Sequence, residues 1–208
     1  GSSWAPGPAR YHQRVTEVYF LLERLGNLLR ALERQAAHRL GLQPVHLAML
    51  AYLARANHYS DHPKAVAEFL GLTKGTVSQS LLLLERQGYL RRRPDDRDRR
   101  LYHLSLTSKG HQALAQVQPP PVFEQAAASL GSKKLAELAG NLTELLRALQ
   151  RAHGGRTFGV CHTCWFFRDS VGGTHCGLTN EPLHPDQISK LCRDHQPRSA
   201  RGSTAAPG

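Results

Sequence analysis

Cysteine is missing from the first 160 residues of this 208-residue chain. That whole stretch must fold without a thiol cross-link. Acidic side chains are also scarce: 16 Asp and Glu stand against 27 Lys and Arg, a formal charge of +11. Such a field favours a polyanion, with nucleic acid as first candidate and a merely solvated basic surface as the bland alternative. No apolar run reaches the roughly 18 residues that a membrane helix needs, and no secretory h-region opens the chain. Both absences point to a cytoplasmic protein without a membrane partner. No Ser/His/Asp set, phosphate loop or paired-carboxylate site is evident, so enzymatic chemistry is not expected. The opening GSSWAPGPAR lacks a methionine, and residues 1–10 read as tag-like or disordered. The end of the chain, 197–208, is small, polar and rich in Pro and Gly, which predicts disorder.

What is present allows one full domain plus a small extra, since 40% of residues are hydrophobic. Val15, Val18, Leu22, Leu25, Leu29, Leu32 and Ala36 alternate spacings of three and four, the seam of a long helix. Leu135, Leu138, Leu142, Leu145, Leu149 and Ala152 form a second seam, with Ser132 placed to cap it and Gly154 and Gly155 to end it. Two long striped helices at opposite ends of one small domain favour a dimer over packing within the chain.

Between the seams lie three shorter helices. The first runs over residues 44 to 56 with Pro44 in its first turn, and the second from Pro63 to Leu70. The third is KGTVSQSLLLLERQ, capped by Thr73 and stopped by Gly88. Two helices joined by a tight Gly-containing turn are a helix-turn-helix signature. Val77, Leu81 and Leu84 face the core, which leaves Lys74, Thr76, Ser78 and Gln79 outward near the N-terminus, where a recognition helix meets base edges and phosphates. Next, YLRRRPDDRDRRLYHLSL reads as strand, charged turn and strand. Arg91, Arg92, Arg93, Arg97, Arg99 and Arg100 crowd its tip among Asp95, Asp96 and Asp98, and such a ribbon can set an Arg in the minor groove, with the Asp residues bracing it from behind. The fold class is therefore mainly α with a small β-wing, a winged helix-turn-helix.

The order LGLTKGTVSQSLLLLERQGYLRRRPDDRDRRLYHLSLTSKG resembles the MarR family of bacterial transcription regulators over about residues 11 to 152. The densest likeness is Asp98, Arg99 and Arg100 followed by the Leu-Thr-x-x-Gly start of the next helix. The resemblance implies a winged helix-turn-helix with intertwined dimerisation helices over 11–153. It also implies an obligate homodimer that binds pseudo-palindromic double-stranded DNA and usually represses. Its DNA-binding residues would be Thr73, Lys74, Thr76, Ser78, Gln79, Arg93, Arg97, Arg99 and Arg100. Gln79 stands where many members carry Arg, so operator preference does not transfer. Family members are often released by a small aromatic ligand in a cleft, and others by a cysteine near the first helix. This chain has no cysteine there.

All four cysteines, Cys161, Cys164, Cys176 and Cys192, fall beyond the family domain, in residues 154–196 with spacing C-x2-C-x11-C-x15-C. So short a segment cannot fold securely unaided, and in the cytoplasm a metal is the expected staple. The expectation is one metal centre per chain, either structural Zn2+ or an iron-sulfur cluster, and the two are left undecided. Gly172, Gly173 and Gly177 suit zinc loops. Trp165, Phe166 and Phe167 could shield a cluster, tipping the balance slightly that way, or simply form the segment's own small core. His175 or His195 could replace a cysteine. A cluster would make the protein a sensor of redox or iron state; zinc would leave the tail structural and the signal with the aromatic ligand. A dithiol enzyme built on CHTC and an inert thiol tail are the minor alternatives, and a metal-stabilised protein-interaction module is the rival reading of the whole.

Overall fold

The computed structural model describes residues 8–96, 98, 101–154, 156–170 and 173–198. These fall into two units, one ending at Pro44 and one beginning at Val45. The first is built on a single helix, α1 (Pro8–Arg39), which begins inside the segment 1–10 whose composition predicted disorder. Along its seam Leu22 and Leu29 are half-buried, while Val15, Val18 and Leu25 are exposed.

The second unit holds the winged helix, in the order α2 (Pro44–Arg55), α3 (Pro63–Leu70), α4 (Lys74–Arg86), β1 (Leu90–Pro94), β2 (Tyr102–Leu106) and α5 (Ser108–Ala115). Local chemistry sets the boundaries. The His62 ring nitrogen accepts from the Ala65 N–H and caps α3, and Gly71 ends that helix in the left-handed region at φ 64°. Thr73 Oγ1 accepts from the Thr76 N–H at 3.2 Å and caps α4 as the sequence predicts. The wing is an antiparallel pair in which Leu90 faces Leu106 and Pro94 faces Tyr102. Tyr52, Leu47, Met49, Leu50, Val66, Val77, Leu81, Leu84, Leu90 and Leu104 fill the core, so α2, α3, α4 and both strands contribute.

Beyond α5 runs α6 (Pro121–His153), longer than the sequence indicated. The seam marked the arm from Ser132 onward; a preceding arm starts at Pro121, and Gly131, at φ 75° and ψ 159°, separates the two. None of its residues is buried, and Leu135, Leu138, Leu142 and Leu149 lie exposed along one row. Gly154 closes it in the left-handed region.

The cysteine segment contains secondary structure that no periodicity announced. After a single 3-10 turn, Cys161–Thr163, come β3 (Phe167–Ser170), β4 (Gly173–Cys176), β5 (Glu181–Pro182) and a short helix, α7 (Pro185–Ile188). The three strands form one antiparallel sheet in the order β3-β4-β5. Pro197, where disorder was expected to begin, still pairs with Cys164, and Arg198 Nε donates to the Cys164 carbonyl.

Candidate nucleic-acid interface and the four-cysteine segment

Helix α4 buries Val77, Ser80, Leu81 and Leu84 and presents the opposite face to solvent. Thr73, Lys74, Thr76, Ser78 and Gln79 are all exposed, as the helical period requires once Val77 and Leu81 are fixed inward. The Thr73 and Thr76 hydroxyls lie 2.9 Å apart, which ties two of these side chains to the helix start. This end of the helix also carries the positive pole of its dipole, and Lys74 adds a full charge there, so the exposed surface attracts phosphate.

The wing beside it is basic along its described length. Arg91 Nε donates to Ser105 Oγ across the ribbon, and Arg92 Nε pairs with Glu85 of α4 at 2.8 Å while its guanidinium sits over the Tyr102 ring. Arg93 is exposed and reaches Asp96 at 3.5 Å. Of the three expected acidic braces, Asp96 therefore holds Arg93, whereas Asp95 serves a histidine. Arg97, Arg99 and Arg100 lie outside the described residues.

That histidine, His103 of β2, ties the wing to the loop between α2 and α3. Its Nδ1 lies 2.6 Å from Asp61 Oδ1 and its Nε2 2.9 Å from Asp95 Oδ2. Burial lowers the His103 pKa, but the two carboxylates outweigh it and leave it raised. For Asp61 the balance differs: burial pushes its carboxyl up and His103 recovers only part of that. The two directions disagree about how much the pair gains. His103 lies between two carboxylates, whereas Asp61 is more deeply buried and faces the imidazoles of His103 and His58. The Leu104 N–H also donates to the Asp61 carbonyl, so the tie is both ionic and backbone.

The four cysteines come together around one small cavity of about 20 Å³, with Tyr59, Phe166, Phe167 and Leu183 among its other walls. Cys161, Cys164 and Cys192 are buried and Cys176 is half-buried, all as free thiols. The interaction between the neighbouring Cys161 and Cys192 thiols pushes the Cys161 thiol up and pulls Cys192 down. Among the described residues no group of three or more His, Cys, Asp or Glu side chains is arranged to hold a metal ion. His195 is engaged elsewhere: Nδ1 meets Thr157 Oγ1 at 2.7 Å and Nε2 meets Thr163 Oγ1 at 2.9 Å. Burial lowers its pKa, so it sits as a neutral ring between two hydroxyls. His175 precedes Cys176 on β4 and so points to the other face of that strand. Of the three aromatics, Phe166 and Phe167 do line the cysteine cavity, and Trp165 is exposed.

The segment is docked on the connection between α2 and α3. Leu191 takes the Asn57 N–H on its carbonyl and gives its own N–H to the Arg55 carbonyl. Asn57 Nδ2 donates to Cys161 Sγ at 3.2 Å, Tyr59 OH donates to Glu181 Oε2 at 2.9 Å, and the Arg193 N–H donates to Ser60 Oγ at 2.8 Å. On α3, Glu68 takes a two-pronged grip from Arg193 and a further contact from Arg156 at 3.1 Å.

Residues 40–101 match the family model described as MarR family. This stretch, from α2 through the wing, is similar to the MarR family. The Transcriptional repressor MprA of Escherichia coli (strain K12) is 36% identical over 74 residues, 36% of this chain and 42% of that protein. The Uncharacterized HTH-type transcriptional regulator YwaE of Bacillus subtilis (strain 168) is 36% identical over 56 residues, 27% of this chain and 33% of that one. The chain thus spans about two fifths or less of the length of these curated relatives. Among solved structures, the transcriptional regulator Tm0710 from Thermotoga maritima matches with a TM-score of 0.50 and 25% identity over 68% of this chain and 99% of that one. A MarR transcriptional regulator from Methanosarcina mazei Go1 shares the fold, at a TM-score of 0.53 and 20% identity over 67% and 99% of the two chains.

Within the winged helix, the sequence pointed to the α4 face and the wing but not to the residues that link them to the tail. Asn57, Tyr59, Asp61, Glu68 and His103 sit on a short loop, a helix and a strand whose spacing carries no motif. The one available hint was compositional: Asn57 and Asp61 are polar residues in a loop that lies against the core.

Proposed function

We propose that this protein is a DNA-binding transcription regulator that acts in the cytoplasm as a homodimer and represses by occupying a pseudo-palindromic operator. The observation that carries the reading is the exposed N-terminal face of α4, with Lys74, Thr76, Ser78 and Gln79 free toward solvent beside a basic two-stranded wing. Gln79 can pair with adenine through both its amide groups, the threonine and serine hydroxyls suit either phosphate or base edges, and Lys74 supplies charge. The homodimer is supported by α6, whose apolar row has no cover within its own unit. A two-fold dimer would set its two α4 helices on half-sites about one helical turn apart.

Gel shifts with DNA flanking the protein's own gene test the reading. Binding should weaken steeply with salt, because each phosphate contact releases counterions. Replacing Lys74 by Ala should reduce the salt slope by about one contact, and Gln79→Ala should cost roughly 1–3 kcal/mol at particular base positions. A folded dimer that fails to shift this DNA at low salt would remove the proposal.

A further inference from the structure

We propose that Cys161, Cys164, Cys176 and Cys192 hold a single zinc ion, which fastens the C-terminal segment to the connection between α2 and α3. This goes beyond the DNA-binding reading and stands or falls separately from it. Four observations carry it.

The first is convergence. Residues spread over 161–192 bring all four of their sulfurs to the wall of one cavity. Local sequence does not require this, because a 3-10 turn, a β-strand and the stretch after α7 each supply part of the set.

The second is size. A cavity of about 20 Å³ has room for one atom, by the same measure on which a buried water needs about 10–15 Å³. An iron-sulfur cluster adds several irons and sulfides, so the small volume favours a lone ion. A lone ion needs only the centre of the cavity. In a tetrahedral site with metal-sulfur distances of about 2.3 Å the thiolates lie about 3.8 Å apart around the ion.

The third is the surroundings. Asn57 is wholly buried, and its amide donates to Cys161 Sγ at 3.2 Å. The Gln196 N–H donates to Cys164 Sγ at 3.4 Å. Donors aimed at sulfur stabilise thiolate over thiol, and such outer-sphere hydrogen bonds orient and tune ligands in metal sites. Asn57 is fixed in turn by its carbonyl oxygen, which accepts from the Tyr59 N–H, and by its own N–H on Leu191.

The fourth is need. The segment's buried apolar cluster consists of Cys161, Leu183 and Cys192, with Tyr59, Phe167, Cys176 and Ile188 packed around it. Such a core is too small to hold a three-stranded sheet without a cross-link, and three of its members are the cysteines themselves. Thiolate softness selects zinc among the available divalent ions, and zinc binds such sites more tightly than iron(II). His195 is held by Thr157 and Thr163, and His175 faces the other side of β4, which leaves the four thiolates as the complete set.

The test uses the full chain purified without air and without added metal. The expected result is one zinc per chain, no iron or sulfide, and thiols that react only after a chelator is added. Replacing zinc by cobalt(II) should give the intense visible bands of a tetrahedral thiolate site. Asn57→Ala should bind zinc about tenfold more weakly while keeping the same cobalt spectrum, the signature of a positioning residue outside the ligand set. Removing zinc should open residues 159–197 to amide exchange and leave the α4 amides protected. Iron with sulfide, a single bound iron, two disulfides, or four thiols freely titratable in metal-free protein would each overturn the proposal. None of these outcomes depends on whether DNA binds.

Discussion

His103 is one side chain through which pH can reach the wing. It sits between the carboxylates of Asp61 and Asp95, with His58 close enough to act on Asp61, and its pKa is raised above the ordinary histidine value. A group whose folded pKa is raised contributes stability that is fully present below its unfolded pKa, about 6.5, and is lost as pH rises through the folded value. The wing should therefore be held most firmly in mildly acidic solution and loosen toward alkaline pH. Asp61 shifts in the same sense, since burial pushes its own carboxyl upward, but its contribution is lost lower down, as pH rises through the carboxylate range. Urea denaturation across pH 6 to 9 should show stability declining, and His103→Gln should flatten that decline; an unchanged slope in the variant would assign the effect elsewhere. Residue-scale features that depend on near neighbours were readable from the sequence. Thr107 caps α5 by accepting the Gly110 N–H at 3.1 Å, and a Cβ on Gly110 would lie 2.2 Å from the Tyr89 carbonyl oxygen. Those two contacts are the physical content of the Leu-Thr-x-x-Gly pattern. The role of His103 was not readable, because its partner Asp61 lies 42 residues away.

At the scale of elements, heptad spacing identified the arm of α6 from Ser132 to His153, because a period of three and four residues is visible within a few turns. The arm from Pro121 to Leu130 was missed. It carries no such seam, and Gly131 interrupts the register between the two. The sheet β3-β4-β5 escaped for a related reason: strands of four residues or fewer, with one half-exposed face, leave too little alternation to detect. For α6 the apolar row has a direct consequence. Each leucine fully removed from water contributes about 1.5–3 kcal/mol, and here Leu135, Leu138, Leu142 and Leu149 remain at 38–57% of full exposure. Covering that row against a second chain would remove the remaining apolar surface from water and favour association. Changing Leu138 and Leu142 to Glu should convert a dimer to monomer at micromolar concentration in sedimentation, without altering the winged-helix core, which these side chains do not enter. A variant that remains dimeric would place the interface elsewhere.

Across the whole second unit, the decisive contacts join parts of the chain that are far apart in sequence. Asn57 to Cys161 spans 104 positions, and Glu68 to Arg193 spans 125. Such pairings depend on how the folded segment comes back onto α3, and no local pattern encodes that. Proximity along the chain had linked the tail only to α6, from which it emerges. The structure instead fastens it to the first helix of the helix-turn-helix and the loop preceding it. Glu68 is pulled below the ordinary carboxylate range, chiefly by the Arg193 hydrogen bonds, and Arg193 is raised by the same pair. Both directions agree, so the contact favours the folded state. A depressed carboxylate contributes stability above its unfolded pKa, about 4.3, and loses it as pH falls through the folded value. The pair should thus hold throughout neutral pH and release only in acid. A double-mutant cycle with Glu68→Gln and Arg193→Gln should return a coupling of about 1 kcal/mol at pH 7, since the two-pronged geometry is good but Glu68 remains partly in solvent. The coupling should shrink toward zero near pH 3. Arg156 and Asp194 touch the same pair, at 3.1 Å to Glu68 and 3.1 Å to Arg193, so the cycle reports a four-charge cluster in which each single change leaves other partners in place. Additive single mutants at pH 7 would mean that backbone hydrogen bonds through Leu191, rather than this cluster, hold the tail against α3.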